Sequence, residues 1–219
     1  MTIPRHILQI AIGDAYISRL PLERLRTHLL TKNPTYTYTF WTDRECKVFL
    51  EESFPEHIPL YEQLERLQYK SDLIRYLYLY KHGGFYVDID LYLLTPFDEL
   101  QRILDCDFFI PLGAHHGGRL EVANGFMGAA PGFPLFPKLV AEMSRNPNPA
   151  DYGANVKTFR RLLQETGYTS APFLCQDRVV FLREVGPLLG KYYITADGST
   201  IACLSNGHGY PHQIPTLSE

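Results

Sequence analysis

Asp88 and Asp90 stand one residue apart at the end of the segment KSDLIRYLYLYKHGGFYVDID, residues 70–90. Two carboxylates that close raise each other's pKa unless a cation sits between them. A divalent metal is the usual remedy, and hard oxygen ligands suit Mn²⁺ or Mg²⁺. Asp90 is the first candidate for direct ligation, with Asp88 either a second ligand or a contact through water. The competing interpretation is an exposed strand end whose acids are merely solvated. Asp72 and Arg75, at i and i+3, are neighbours on the helix expected to precede the pair. As a plain intrahelical ion pair on a solvated face they would contribute only about 0.3–0.5 kcal/mol.

The elements that must position these side chains follow from periodicity. Leu60, Leu64, Leu67, Leu73, Ile74 and Leu77 form an apolar stripe over a helix expected from Leu60 to His82. Gly83-Gly84 ends it, because glycine accepts the left-handed conformation that closes a helix. The strand expected from Phe85 has period two: Phe85, Val87, Ile89, Leu91 and Leu93 point one way, and Tyr86, Asp88, Asp90 and Tyr92 the other. Upstream, residues 6–12 read as a strand and Leu22 to Leu30 as a helix, and residues 36–41 (YTYTFW) read as a second strand. Thr42 with Glu45 three residues on marks a capped helix to about Glu52. Strand, helix, strand, helix is the pattern of an α/β domain with a mainly parallel sheet. Downstream, residues 107–112 and 122–129 read as strands around an AHHGGR loop, and residues 134–144 and 152–166 as helices.

Composition narrows the class. With 45% hydrophobic and 21% charged residues in 219, the chain has ample material for a core and fits one domain. The formal net charge is −3 and no basic run stands out, so no nucleic-acid partner is expected. Cys46, Cys106, Cys175 and Cys203 form no CxxC pair, which argues against a zinc ribbon or redox motif and fits free thiols. The N-terminal MTIPRHILQIAIGDAY lacks a basic start and a cleavage site, and no window approaches a membrane span. The expectation is a soluble, cytoplasmic protein that meets a membrane only peripherally or through a partner.

Taken together, IPRHILQI, NPTYTYTFWTD, Ser71-Asp72 with Arg75, YKHGGFYVDID and ANGFMGAAPG resemble the nucleotide-sugar glycosyltransferases of the DXD sugar-binding family (family 32) over residues 1–132. A spaced set of this kind is far more specific than a lone D-x-D. The resemblance implies a GT-A fold, a Rossmann-like α/β/α sandwich, and a Mn²⁺- or Mg²⁺-dependent, retaining transfer of a hexose from a UDP- or GDP-sugar, UDP-glucose or UDP-galactose ahead of GDP-mannose, to a carbohydrate acceptor. It implies a donor half over residues 1–132 and an acceptor half with a tail over 133–219. It further implies that Trp41 and Thr42 lie by the base, that Asp72 and Arg75 contact the donor sugar or ribose, and that Asp88 and Asp90 engage the metal and diphosphate. The chain departs from the family pattern at Ile10-Ala11, at Ser170-Ala171-Pro172, and at His208 and His212, which stand without a tryptophan.

Each candidate has an alternative role. Tyr86 touches the donor or packs; Trp41, the only tryptophan, stacks on a base or anchors the core. Asn124 and Gln9 reach the sugar or serve a turn and a strand end. His208 completes the metal shell as a neutral imidazole or is an ordinary tail residue. His115-His116 are surface residues or line the acceptor cleft. The rival functions are a catalytically silent nucleotide-sugar or glycan-binding module and a DxD phosphatase; the mid-chain position of the pair, followed by Leu91-Tyr92, speaks against the phosphatase.

Overall fold

The structure, a computed structural model, describes residues 3–13, 22–114, 120–151, 153–168, 175–176, 179–185, 192–194 and 200–204. The opening apolar run forms β1 (His6–Ile10), and α1 (Leu22–Lys32) buries Leu25 and Leu29. After β2 (Thr37–Trp41), Thr42 caps α2 (Asp43–Ser53), its backbone N–H donating to the Glu45 carboxylate at 2.8 Å. The single long helix expected from Leu60 is two helices. A 3-10 turn at Pro55–His57 leads into α3 (Ile58–Gln63), and α4 (Leu67–His82) follows. Leu64 between them is extended yet only 2% exposed, so apolar spacing runs unbroken through a corner in the backbone. Leu67 leaves the stripe and is 46% exposed. Gly83 ends α4 with φ +66°, and its N–H donates to the Leu79 carbonyl at 2.9 Å.

The strand expected through Leu93 breaks at the two carboxylates. β3 (Gly84–Val87) stops at Asp88, the Leu91 N–H closes a turn on the Asp88 carbonyl at 3.1 Å, and β4 (Leu91–Leu93) pairs elsewhere. Then come α5 (Phe97–Leu104), β5 (Phe108–Ala114), β6 (Leu120–Val122) and β7 (Phe126–Ala129). Asn124-Gly125 is thus a turn between two strands, where sequence periodicity suggested one continuous strand. Helices α6 (Leu135–Arg145) and α7 (Ala154–Glu165) precede β8 (Cys175–Gln176), β9 (Val179–Val185), β10 (Tyr192–Ile194) and β11 (Thr200–Leu204).

Among the described residues these strands form one sheet in the order β2-β1-β3-β7-β5-β9-β10-β11-β4, with β6 on β5 and β8 on β9. β1 is parallel to β2 and β3, β5 is parallel to β9, and β7 runs antiparallel between β3 and β5. From β2 to β9, therefore, every strand on the path but β7 points the same way, the parallel-leaning α/β sheet anticipated above. β10, β11 and β4 extend it antiparallel.

Strand alternation feeds two cores. Leu8, Tyr86, Phe108 and Met127 face one side, where residues of α2, α3, α4, α6 and α7 cover them. Their neighbours Ile7, Phe85, Phe109 and Phe126 face the other, under α1 and α5. Helices on both faces of the sheet make three layers. The parallel strands β1, β2 and β3 end on one edge, and the turn over residues 88–90 lies there.

Candidate active site

Asp72 and Arg75 occupy the buried face of α4, only 6% and 5% exposed, which removes the solvated-pair interpretation. Arg75 Nη2 lies 3.5 Å from Asp72 Oδ1 and 3.5 Å from Asp88 Oδ1, so one guanidinium joins the helix to the end of β3. Its Nη1 donates to the Asn124 carbonyl at 2.7 Å and its Nε to the Ser71 carbonyl at 3.3 Å. The guanidinium carbon sits 4.0 Å from the centre of the Tyr86 ring, a cation–π contact in a desolvated place. Burial opposes the Arg75 charge, but Tyr86, Asp88 and Asp72 outweigh it and hold the pKa above the usual guanidinium value.

Asp72 is served from three elements. Asn124 Nδ2 donates to Oδ1 at 2.9 Å and Asn155 Nδ2, from α7, to Oδ2 at 2.8 Å. Burial raises the Asp72 pKa, and Arg75 and the two amides work against it. Both of its oxygens accept, the pattern of a carboxylate held ionised by its donors. Asn124 also reaches the Tyr76 hydroxyl at 2.9 Å.

Asp88 is half-buried, and its Oδ1 accepts from the Tyr86 hydroxyl at 2.6 Å. Burial, ahead of the other influences, keeps that phenol protonated, with its pKa well above ordinary tyrosine. Asp88 Oδ2 rests on Gly125: a Cβ there would come within 2.3 Å of it. The Asp88 N–H donates to the Gly125 carbonyl at 2.7 Å, which ties the two turns together. Gln9 supports the same turn through its amide, 3.3 Å from the Asp88 carbonyl, and Tyr38 donates to the Gln9 side chain at 2.8 Å. Asp90, at the far end of the turn, is 8% exposed.

Three formal carboxylates against one guanidinium leave the turn with an excess of negative charge, and all the acidic donors are hard oxygens. This set suits Mn²⁺ or Mg²⁺. No group of three or more His, Cys, Asp or Glu gathers among the described residues, so water or ligand oxygens would supply the remaining positions.

Trp41 and Thr42 stand at the end of β2, on the same edge as the turn. The Trp41 ring packs against Phe49 and Tyr78, with centroids 4.8 and 5.1 Å away. Exposed Thr42 lines a cleft of about 660 Å³ together with Ala11, Gly13, Arg44 and Lys47. His208, His115 and His116 lie outside the described residues. Sequence reasoning missed Tyr38, Tyr76, Gly125 and Asn155. Tyr76, four residues after Asp72 on the same helix, was within reach of an i, i+4 argument. Asn155, 83 residues away, carried no local signal.

Residues 22–105 match the family described as "Glycosyltransferase sugar-binding region containing DXD motif". The chain is 28% identical over 114 residues to inositol phosphoceramide mannosyltransferase 2 of Schizosaccharomyces pombe, covering 52% of this chain and 31% of that protein. It is 28% identical over 167 residues to an uncharacterized glycosyltransferase of Acanthamoeba polyphaga mimivirus, covering 74% of this chain and 65% of the viral protein. The chain thus spans about a third of the fungal relative's length. Among solved structures, the PaToxG glycosyltransferase superposes with a TM-score of 0.54 at 18% identity, over 75% of this chain and 70% of that one. The shared architecture is the GT-A type expected from the sequence. The matched segment carries both Asp88-Ile89-Asp90 and the Asp72–Arg75 pair, and over it the chain is similar to the glycosyltransferases with a DXD sugar-binding region.

Proposed function

We propose that the protein is a metal-dependent, retaining glycosyltransferase that moves a hexose from a nucleotide-sugar to a hydroxyl of a carbohydrate acceptor. The observation that carries this reading is the buried Arg75, which joins Asp72 on α4 to Asp88 of the D-x-D turn at the ends of three parallel strands. A nucleotide-sugar has features to match: hydroxyls for carboxylates, and a diphosphate for a cation. The name of the fungal relative favours mannose, hence GDP-mannose, with a UDP-hexose as the alternative donor.

Asp90 would hold Mn²⁺ or Mg²⁺ directly. Asp88, its Oδ1 already engaged by Tyr86 and Arg75, would contact the donor ribose or sugar and assist the metal through water. When bound, the ion neutralises charge that develops on the departing diphosphate. Arg75 adds fixed positive charge in a water-poor setting, where it acts more strongly than in solvent. Asp72 accepts from sugar hydroxyls through lone pairs that its amide partners leave open. Asn124 holds both Asp72 and Arg75 in register for that contact. The base lies beside Thr42 and the edge of Trp41, and His208 in the tail is the proposed third ligand. The reading takes the chain as a single domain, with residues 133–219 forming the acceptor half.

Thermal unfolding with UDP-glucose, UDP-galactose or GDP-mannose, each with and without Mn²⁺, tests this. One donor class should raise the melting point only when Mn²⁺ is present, through a stabilisation of about 2.7 kcal/mol at 100 times its Kd. Asp90→Ala should abolish the shift. An undiminished shift in that variant takes Asp90 out of the metal site; no shift from any donor sinks the transferase reading.

A further inference from the structure

Asp72 lies inside the matched DXD region, yet both of its amide donors lie beyond it, Asn155 the farther along the chain. Asn155, in the first turn of α7, is 8% exposed, and its side-chain amide meets Asp72 Oδ2 at 2.8 Å. A buried amide aimed at a buried carboxylate is a costly feature to keep unless both ends are matched. The segment that delivers it is fastened down. Asn148 grips the α3–α4 corner from both sides: its Oδ1 accepts from the Glu65 N–H at 2.9 Å, and its Nδ2 donates to the Gln63 carbonyl at 2.8 Å. Arg66 Nη2 donates to the Ala150 carbonyl at 3.1 Å, and the Tyr69 hydroxyl to the Asp151 carbonyl at 2.8 Å. Four hydrogen bonds therefore clasp the stretch before α7 to the α3–α4 corner and the first turn of α4, the one at Tyr69 lying one turn from Asp72.

A segment needed only for packing would not require this register. Phe159, Leu162 and Leu163 already bury the apolar face of α7. The clasp sets the height of α7 along α4, and that height brings Asn155 opposite Asp72.

We infer that Asn155 is a positioning residue for the donor sugar: it fixes the orientation of the Asp72 carboxylate, and the clasp around Asn148 fixes Asn155. The inference rests on the transferase reading and deepens it. Sugar recognition then depends on a helix from the acceptor half, whereas recognition of the nucleotide diphosphate does not.

Titration calorimetry in Mn²⁺ separates the two parts of the donor. The probes are UDP-glucose and GDP-mannose on one side, UDP and GDP on the other. Asn155→Ala removes one hydrogen bond to a charged group and should weaken the preferred nucleotide-sugar about 10- to 100-fold. Its affinity for the matching nucleoside diphosphate should stay within about twofold. Asn148→Ala, at an exposed position that leaves the core intact, should move the nucleotide-sugar in the same direction by a smaller factor, and it carries the test if Asn155→Ala fails to fold. Equal loss for nucleotide-sugar and nucleoside diphosphate would mean that α7 merely supports the fold, and no loss for either would mean that Asn155 is idle; both overturn the inference. A wild-type protein that binds none of the four probes overturns the transferase reading, and this inference with it.

Discussion

Gly125 shows how finely the carboxylates are seated. Asp88 Oδ2 occupies the space that any side chain at 125 would need. Gly125→Ala is therefore expected to push the Asp88 carboxylate off its contacts with Tyr86 and Arg75 while leaving the sheet in place. The strain should cost about 1–3 kcal/mol, and the Mn²⁺-dependent thermal shift by the donor should shrink or vanish. A full shift in Gly125→Ala would show that Asp88 can move without consequence. Arg75→Met is the harsher test of the same cluster. It leaves Asp72 buried without its cation, and urea unfolding should report a loss of about 3–5 kcal/mol. A loss below about 1 kcal/mol would mean that the two Asn amides alone support that carboxylate.

The contact of α1 with β4 carries a pH dependence of its own. His28 Nε2 donates to the Leu93 carbonyl at 2.6 Å, and its ring stacks on Tyr92 at 3.8 Å. Burial, aided by Lys32 and Arg24, lowers its pKa below 6.5 against the pull of that carbonyl. A base whose folded pKa is lowered contributes stability that is present above the unfolded value and is lost as pH falls through the folded one. Urea midpoints should thus decline below about pH 6.5, and His28→Gln should flatten that part of the profile. An unchanged profile would assign the acid sensitivity to other groups. The elements themselves were legible where their signals are local: the capping box at Thr42, the glycine stop at Gly83 and the alternation in β3 all hold. Breaks were not legible. Leu64 is as buried as a helical leucine would be, and Leu91 and Leu93 keep the alternation of β3 although a turn separates them from it. Apolar spacing records which side chains are buried and is blind to a corner that keeps them buried.

The two cores meet the sheet from opposite faces, and Phe108 is the centre of the larger one. Its ring stacks on Phe133 at 4.3 Å and touches Phe136 and Phe159, so β5, α6 and α7 share one aromatic group. Phe108→Ala should cost about 3–5 kcal/mol in urea unfolding. Because α7 brings Asn155 to Asp72, it should also weaken sugar-nucleotide binding in the protein that still folds. Stability lost without any change in binding would mean that α7 keeps its height without this ring. The α/β class, the D-x-D pair and its Asp72–Arg75 companion were readable along the chain, since each depends on residues within a few positions of one another. That Arg75 is buried, that it links Asp72 to Asp88, and that Asn124 and Asn155 complete the carboxylate's shell from 52 and 83 residues away were decided only by folding. Hydrogen bonds between distant segments leave no periodicity in a sequence; the packing of α4 and α7 against one face of the sheet is what brings those donors to their acceptors.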